Sequence, residues 1–116
     1  MADLSFLQPQ LDALGAYFEA RAGTSEWHIT HNTFHRSAEA RRAVEARLGA
    51  HGVHTSYLDE IDDPERPFWL DSMERVPPDV GEISVRIARV IDALAAADGE
   101  YNSFTLIGSG GESWPP

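Results

Sequence analysis

One stretch limits the possible folds more than any other. From Pro78 to Ile107 a long amphipathic helix runs straight into a strand. Val80, Ile83, Ile87, Val90, Ile91 and Leu94 recur at three- and four-residue steps, which makes one face of a helix apolar along its length. Asp79 is placed to cap the first turn, and Glu82, three residues on, to complete a capping box. Asp98-Gly99 ends the helix, glycine being the residue that takes left-handed backbone there most readily. Tyr101, Phe104, Leu106 and Ile107 then read as a strand. Burying each large side chain of this ridge is worth ~1.5–3 kcal/mol before ordering entropy is charged. A sheet must supply the surface that receives it.

A chain of 116 residues gives one domain with a single core, 1–116. With no cysteine, disulfides and thiolate metal sites are closed to it. No apolar run approaches the ~20 residues of a membrane span. The opening Met-Ala-Asp-Leu-Ser-Phe has no basic segment leading into an apolar one, so no secretory signal is expected and the expected location is cytoplasmic. The formal charge of −10 argues against general nucleic-acid binding, which needs a basic face for phosphates. The same charge suits a basic protein partner.

Ahead of the ridge, Ser5 to Gln8 reads as a second capping box, and Leu7, Leu11, Leu14 and Phe18 form a stripe. A helix is therefore expected over 5–21, ended by Ala22-Gly23-Thr24. Trp27 to Phe34 alternates and is rich in β-branched and aromatic residues, which predicts a strand. Ser37 caps a helix carrying Ala40, Val44 and Leu48. Val53 to Leu58 is a short strand, Asp59 to Arg66 an acidic turn, and Pro67 to Met73 a returning strand. Gly108-Ser109-Gly110-Gly111 opens an expected flexible tail, 108–116. Helix, then strand-helix-strand twice, with a hairpin between the units, is the split βαβ plan. The predicted class is thus α+β, ferredoxin-like (βαββαβ) over 27–107, with strand order 4-1-3-2 and an additional N-terminal helix. Phe68 and Leu70 lie on one face of the third strand, Trp69 and Met73 on the other. The second sheet face therefore needs a cover; the leading helix is the expected one, a second copy in a homodimer the alternative.

Candidate chemistry is sparse. His28, His31 and His35 would share a face on a helix, but on a strand His28 and His31 point opposite ways, which breaks the simplest metal reading. His28 and His54 can approach from different strands. The acidic turn does not follow the spacing of a calcium loop and reads as a solvated hairpin tip or a partner contact through Asp59, Glu60, Asp62 and Asp63. Arg41, Arg42 and their neighbours read as a salt-laced helix face, with Glu39 pairing Arg42 and Arg41 pairing Glu45. The Gly108–Gly111 run precedes no helix, so it is no phosphate loop. No cofactor and no metal are expected.

Gly99-Glu100-Tyr101-Asn102-Ser103-Phe104, right after a long helix, resembles the signature of the RNase E inhibitor family (regulator of ribonuclease activity B), where Gly-Glu-Tyr-Asp-Gly-Trp is usual. Pro67-Phe68-Trp69-Leu70 and Val76-Pro77-Pro78 resemble it too, so the likeness covers roughly Trp27 to Leu106. Asn102, Ser103 and Phe104 depart from the motif. The resemblance implies the same ferredoxin-like fold and a small acidic cytoplasmic protein that binds and restrains a ribonuclease without catalysis. It implies partner-binding roles for Glu100, Tyr101, Asn102 and Phe104. On a regular strand Tyr101 and Phe104 face opposite sides, which leaves at least one of them in the core. Two other classes fit the residues: an immunity or antitoxin-type protein neutralising a basic partner, and a small enzyme using His28, His31 or His54.

Overall fold

Strand β1 (Trp27–His35) is the centre of the molecule. Its residues alternate between buried and half-buried along its whole length, because one sheet face meets the helices and the other does not. A computed structural model describes residues 2–21 and 26–116, so the expected helix stop at Ala22-Gly23-Thr24 lies outside the described residues. β1 pairs antiparallel with β3 (Phe68–Val76) on one side and β4 (Glu100–Gly108) on the other; β2 (His54–Glu60) pairs with β3, and β5 (Ser113–Trp114) with β4. The sheet order is β2-β3-β1-β4-β5. With α2 (Ala38–Gly49) and α3 (Val80–Ala95) in the two crossovers and α1 (Gln8–Ala20) in front, the fold is α+β, ferredoxin-like, with an N-terminal helix. Among the described residues no helix is long and apolar enough to cross a membrane.

The α3 ridge is buried as its spacing requires. Ile83, Ile87, Val90 and Leu94 are almost fully enclosed and meet Ile29, Leu70, Phe104 and Leu106 of the sheet in one core. Asp79 caps the first turn through its carboxylate, which accepts from the amides of Gly81 and Glu82. The box is not closed: the Glu82 side chain turns to Arg86 instead. Ser37 caps α2 by accepting from Ala40 N–H.

The structure corrects several expectations. Leading helix α1 does not cover the second sheet face. Trp27 shares the helix-side face with Ile29 and His31, and Tyr17 and Phe18 of α1 close on its ring at 6.0 and 5.5 Å. Gly15 lies against Val80 of α3. All three helices therefore lie on one side, because the apolar stripe of α1 finds the end of the core beside α3 already open. Its start differs as well. Ser5–Leu7 is a 3₁₀ turn, no side chain caps it, and Asp3 accepts from Ser5 N–H where a Ser5–Gln8 box was expected.

In place of a flexible tail, Gly108–Gly111 makes a tight turn, with Gly111 at φ 89°, that folds β5 back onto β4. Trp114 is buried and stacks on Phe104 at 5.4 Å. At the end of α3 the left-handed residue is Asp98 (φ 52°) rather than Gly99. Asp98 is held there by ion pairs with Arg36 and Arg66. Gly99 is small for a different reason: a Cβ there would sit 2.9 Å from Leu94 Cδ2 and 3.1 Å from His35 Nδ1. The expected ion-pair ladder on α2 is replaced by tertiary contacts. Arg41 donates to the carbonyls of Asp59 and Trp69, and Glu45 accepts from Thr55.

Candidate functional site

Residues proposed from sequence separate into a buried set and an exposed set, and the divide runs through the Gly99–Phe104 motif. β4 carries a bulge at Asn102, where Asn32 pairs with Ser103 and Thr33 with Tyr101. One extra residue flips the alternation. Tyr101 and Phe104, expected on opposite faces, consequently share the inner one and are only 7% and 4% exposed. Neither is an exposed anchor. Glu100 and Asn102 remain at the surface.

Tyr101 belongs to a polar chain running through the core. Its hydroxyl lies 2.7 Å from His31 Nδ1, and His31 Nε2 lies 3.0 Å from Glu74 Oε2. Arg86 donates to Glu74 Oε1 at 2.6 Å and to Glu82 at 2.8 Å. A carboxylate only accepts, so Nε2 carries the proton, and in the neutral imidazole Nδ1 accepts from the Tyr101 hydroxyl. Burial raises the Glu74 carboxyl, but the hydrogen bonds from His31 and Arg86 outweigh it and hold the group below its ordinary range. Burial, with the Glu74 charge second, pushes the Tyr101 phenol well above the usual value. This arrangement could relay a proton, yet His31 is fully buried and Tyr101 nearly so, while Glu74 lines a groove with His28 and His54.

A second buried histidine, His35, donates from Nε2 to Thr33 Oγ1 at 2.9 Å, and that hydroxyl in turn donates to the Leu70 carbonyl. His35 Nδ1 has no partner. Burial, with the Arg41 charge second, lowers its pKa to about 4, so the ring is neutral.

The exposed acidic residues gather at one end of the sheet. Asp59 and Glu60 end β2, and Asp62 and Asp63 follow in the turn to β3. Arg66 ties that turn to the α3–β4 junction, reaching Asp98 at 3.3 Å and Glu100 at 3.9 Å. Glu100 thereby joins the hairpin carboxylates, which the sequence alone does not reveal. Two of these carboxyls are held below their ordinary range. The Tyr57 hydroxyl and Glu60 amide lower Asp59, and the Arg66 and Glu65 amides lower Asp63.

Beyond the motif lies the outer face of the sheet. Asp71 accepts from Trp69 Nε1 at 2.7 Å and from the Asn32 amide at 2.8 Å; Asn32 accepts from Asn102 at 2.8 Å. This ladder crosses three strands and is flanked by Tyr57 and Phe34, whose rings lie 5.3 and 6.2 Å from Trp69. At the opposite end His28 and His54 do approach, lining with Met73 and Arg75 an open groove of ≈ 480 Å³. His31 sits on the other side of the sheet from them. Among the described residues no group of three or more His, Asp or Glu side chains is set to hold a metal ion. The one sequence signal for this face was the apolar pair Trp69 and Met73 on the second parity of β3; the Asn32–Asp71–Asn102 ladder had none.

Neither a protein-family model nor a curated protein matches this chain.

Proposed function

We propose that this protein is a non-enzymatic, cytoplasmic protein-binding regulator of the kind its resemblance to the RNase E inhibitor family implies, and that it takes a basic segment of a protein partner at the acidic end of the sheet. The observation that carries this reading is the gathering at one sheet end of Asp59 and Glu60 from β2, Asp62 and Asp63 from the following turn and Glu100 from β4, with Arg66 of that turn reaching Glu100. Clustered carboxylates, among them Asp59 and Asp63 held below their ordinary range by local hydrogen bonds, give a field that steers and orients a cationic segment. Binding is favoured over catalysis because two of the three groups best arranged to move a proton, His31 and Tyr101, are buried in the core, and Glu74 is tied to His31 and Arg86. Tyr101 and Phe104 serve the scaffold; Glu100 and Asn102 are the motif residues left to meet a partner.

The test is affinity capture with crosslinking from the native cell, paired with a cleavage assay. The intact chain captures a ribonuclease or a component of its assembly and slows RNA cleavage by it. The Asp59→Asn/Asp62→Asn/Asp63→Asn variant loses both effects while keeping its fold. Capture of a basic toxin would assign the immunity-type role, and capture of neither would remove the regulator reading.

A further inference from the structure

We propose that a second copy of this chain covers the outer face of the sheet, two copies packing face to face about a two-fold axis that runs across the strands. The inference goes beyond the proposed regulator role; it rests on the aromatic outer face and on Arg75, and shares Asp59 and Glu100 with the partner-binding cluster. All three helices lie on the inner side, so the outer face carries Tyr57, Trp69, Phe34, Met73 and Ile107 with no element over them. Tyr57 is 48% and Ile107 52% exposed.

Two features select a second copy over other occupants. Charge is the first. One transverse row of this face holds Asp59, Trp69, Phe34 and Glu100, and the row at the far end holds Arg75, His28 and Ile107. Acid thus sits at one end and cation at the other, about 20 Å apart at ~3.3 Å per strand residue. A two-fold axis across the strands reverses one sheet over the other and lays each cationic row on its partner's acidic row. Arg75 is placed for that contact: its side chain is 74% exposed and, among the described residues, its one ion pair is a loose one with Glu26 at 3.8 Å. An isologous interface requires this self-complementarity, in which each patch meets itself inverted.

Dehydration is the second feature. Several polar groups of the face already satisfy one another, Asp71 with Trp69 and Asn32, Asn32 with Asn102, and Tyr57 with Asp59. Excluding water there leaves these bonds intact, so burial costs far less than for unpaired groups. Four strands at ~4.8 Å spacing give a footprint of roughly 500 Å² per copy. A pair then buries about 1,000 Å², the lower bound for a specific interface. The expected dimer is accordingly a moderate one that dissociates on dilution.

Sedimentation velocity on the full chain, from low to high micromolar, tests this. The expected result is a species of twice the 12.8 kDa chain mass, in equilibrium with monomer. Met73→Arg and Ile107→Arg each weaken it at least tenfold, a loss of ~1.4 kcal/mol. Arg75→Glu weakens it too, and Arg75→Glu/Asp59→Arg restores it. Val85→Arg, exposed on the helix side, leaves it unchanged. A parent chain that stays monomeric overturns the proposal, and so does a dimer broken by Val85→Arg but indifferent to Met73→Arg. A failed charge swap overturns the reversed register. Partner capture is read separately, so a monomer that captures its partner refutes the dimer alone, and a dimer that captures nothing refutes the regulator alone.

Discussion

Removing the Glu74 side chain should unfold the protein at markedly lower denaturant, and the size of the loss follows from its partners. Glu74 is 6% exposed and joins two donors of very different character, the His31 ring and the Arg86 guanidinium. His31 is fully buried, so in Glu74→Ala its Nε2–H has no replacement partner and costs ~1–3 kcal/mol as an unsatisfied donor. Arg86 is a quarter exposed and keeps Glu82, so it recovers water and loses less than a sealed ion would. Losing one member of a buried pair costs ~3–5 kcal/mol; the relief at Arg86 puts this variant near the bottom, ~3 kcal/mol. That is a large share of a typical ~5–15 kcal/mol domain stability and lowers the melting temperature by about 12 °C at ~4 °C per kcal/mol. The pH dependence has a definite sign. The folded carboxyl is held below its ordinary range, so its contribution is present above that range and is lost as the pH falls through the lowered value. Glu74→Gln should lack this acid limb while retaining much of the packing. Urea titrations of the three proteins between neutral and acid pH decide the matter. A Glu74→Ala protein within ~1 kcal/mol of the parent would refute the account of the network.

Other perturbations follow from single contacts. His35 has its folded pKa depressed to about 4, so stability is fully present above ~6.5 and declines by ~2–4 kcal/mol as pH falls from there to the folded value. In His35→Gln, whose amide can still donate to Thr33, that decline should vanish from the pH profile of the urea midpoint. Gly99→Ala should cost ~1–3 kcal/mol by overpacking Leu94 and His35, read by thermal melting. Asp98→Gly should leave the thermal midpoint close to the parent's, since relief of the left-handed backbone offsets the loss of two exposed ion pairs. Truncation after Gly111 should destabilise by ~3 kcal/mol, because it strips the Trp114 ring from Phe104, and should raise amide exchange along β4.

Where the sequence was transparent, local chemistry and global packing agreed. The α3 ridge, the alternation in β1 and the acidic hairpin each fix an element by themselves, and right-handed crossovers leave few ways to join them. What stayed hidden depended on partners distant in sequence. The Asn102 bulge cannot be read from six residues of motif, because it is set by where Thr33 and Asn32 pair. Asp98 looks like an ordinary helix stop until Arg36 and Arg66, both remote in the chain, arrive to hold it in the left-handed region. The resting place of α1 was misjudged because its stripe fits any apolar surface; only the parity of Trp27 decides which face it meets. Glu100 looked like one carboxylate in a strand, and Arg66 makes it part of a larger cluster.

The motif itself gains a physical explanation that bears on function. Gly99 admits His35 and Leu94, Tyr101 anchors His31, Phe104 receives Trp114, and Asn102 both makes the bulge and reaches across to Asn32. Four of its six residues thus build the joint between α3, β1 and the end of the chain. A short motif with that burden would persist wherever this joint is used, whatever partner is bound. On the proposed reading, choice of partner falls to residues the joint leaves free, the carboxylates at one end of the sheet. Substitutions there change neither a buried donor nor a core volume, so they can alter recognition while the scaffold stays intact.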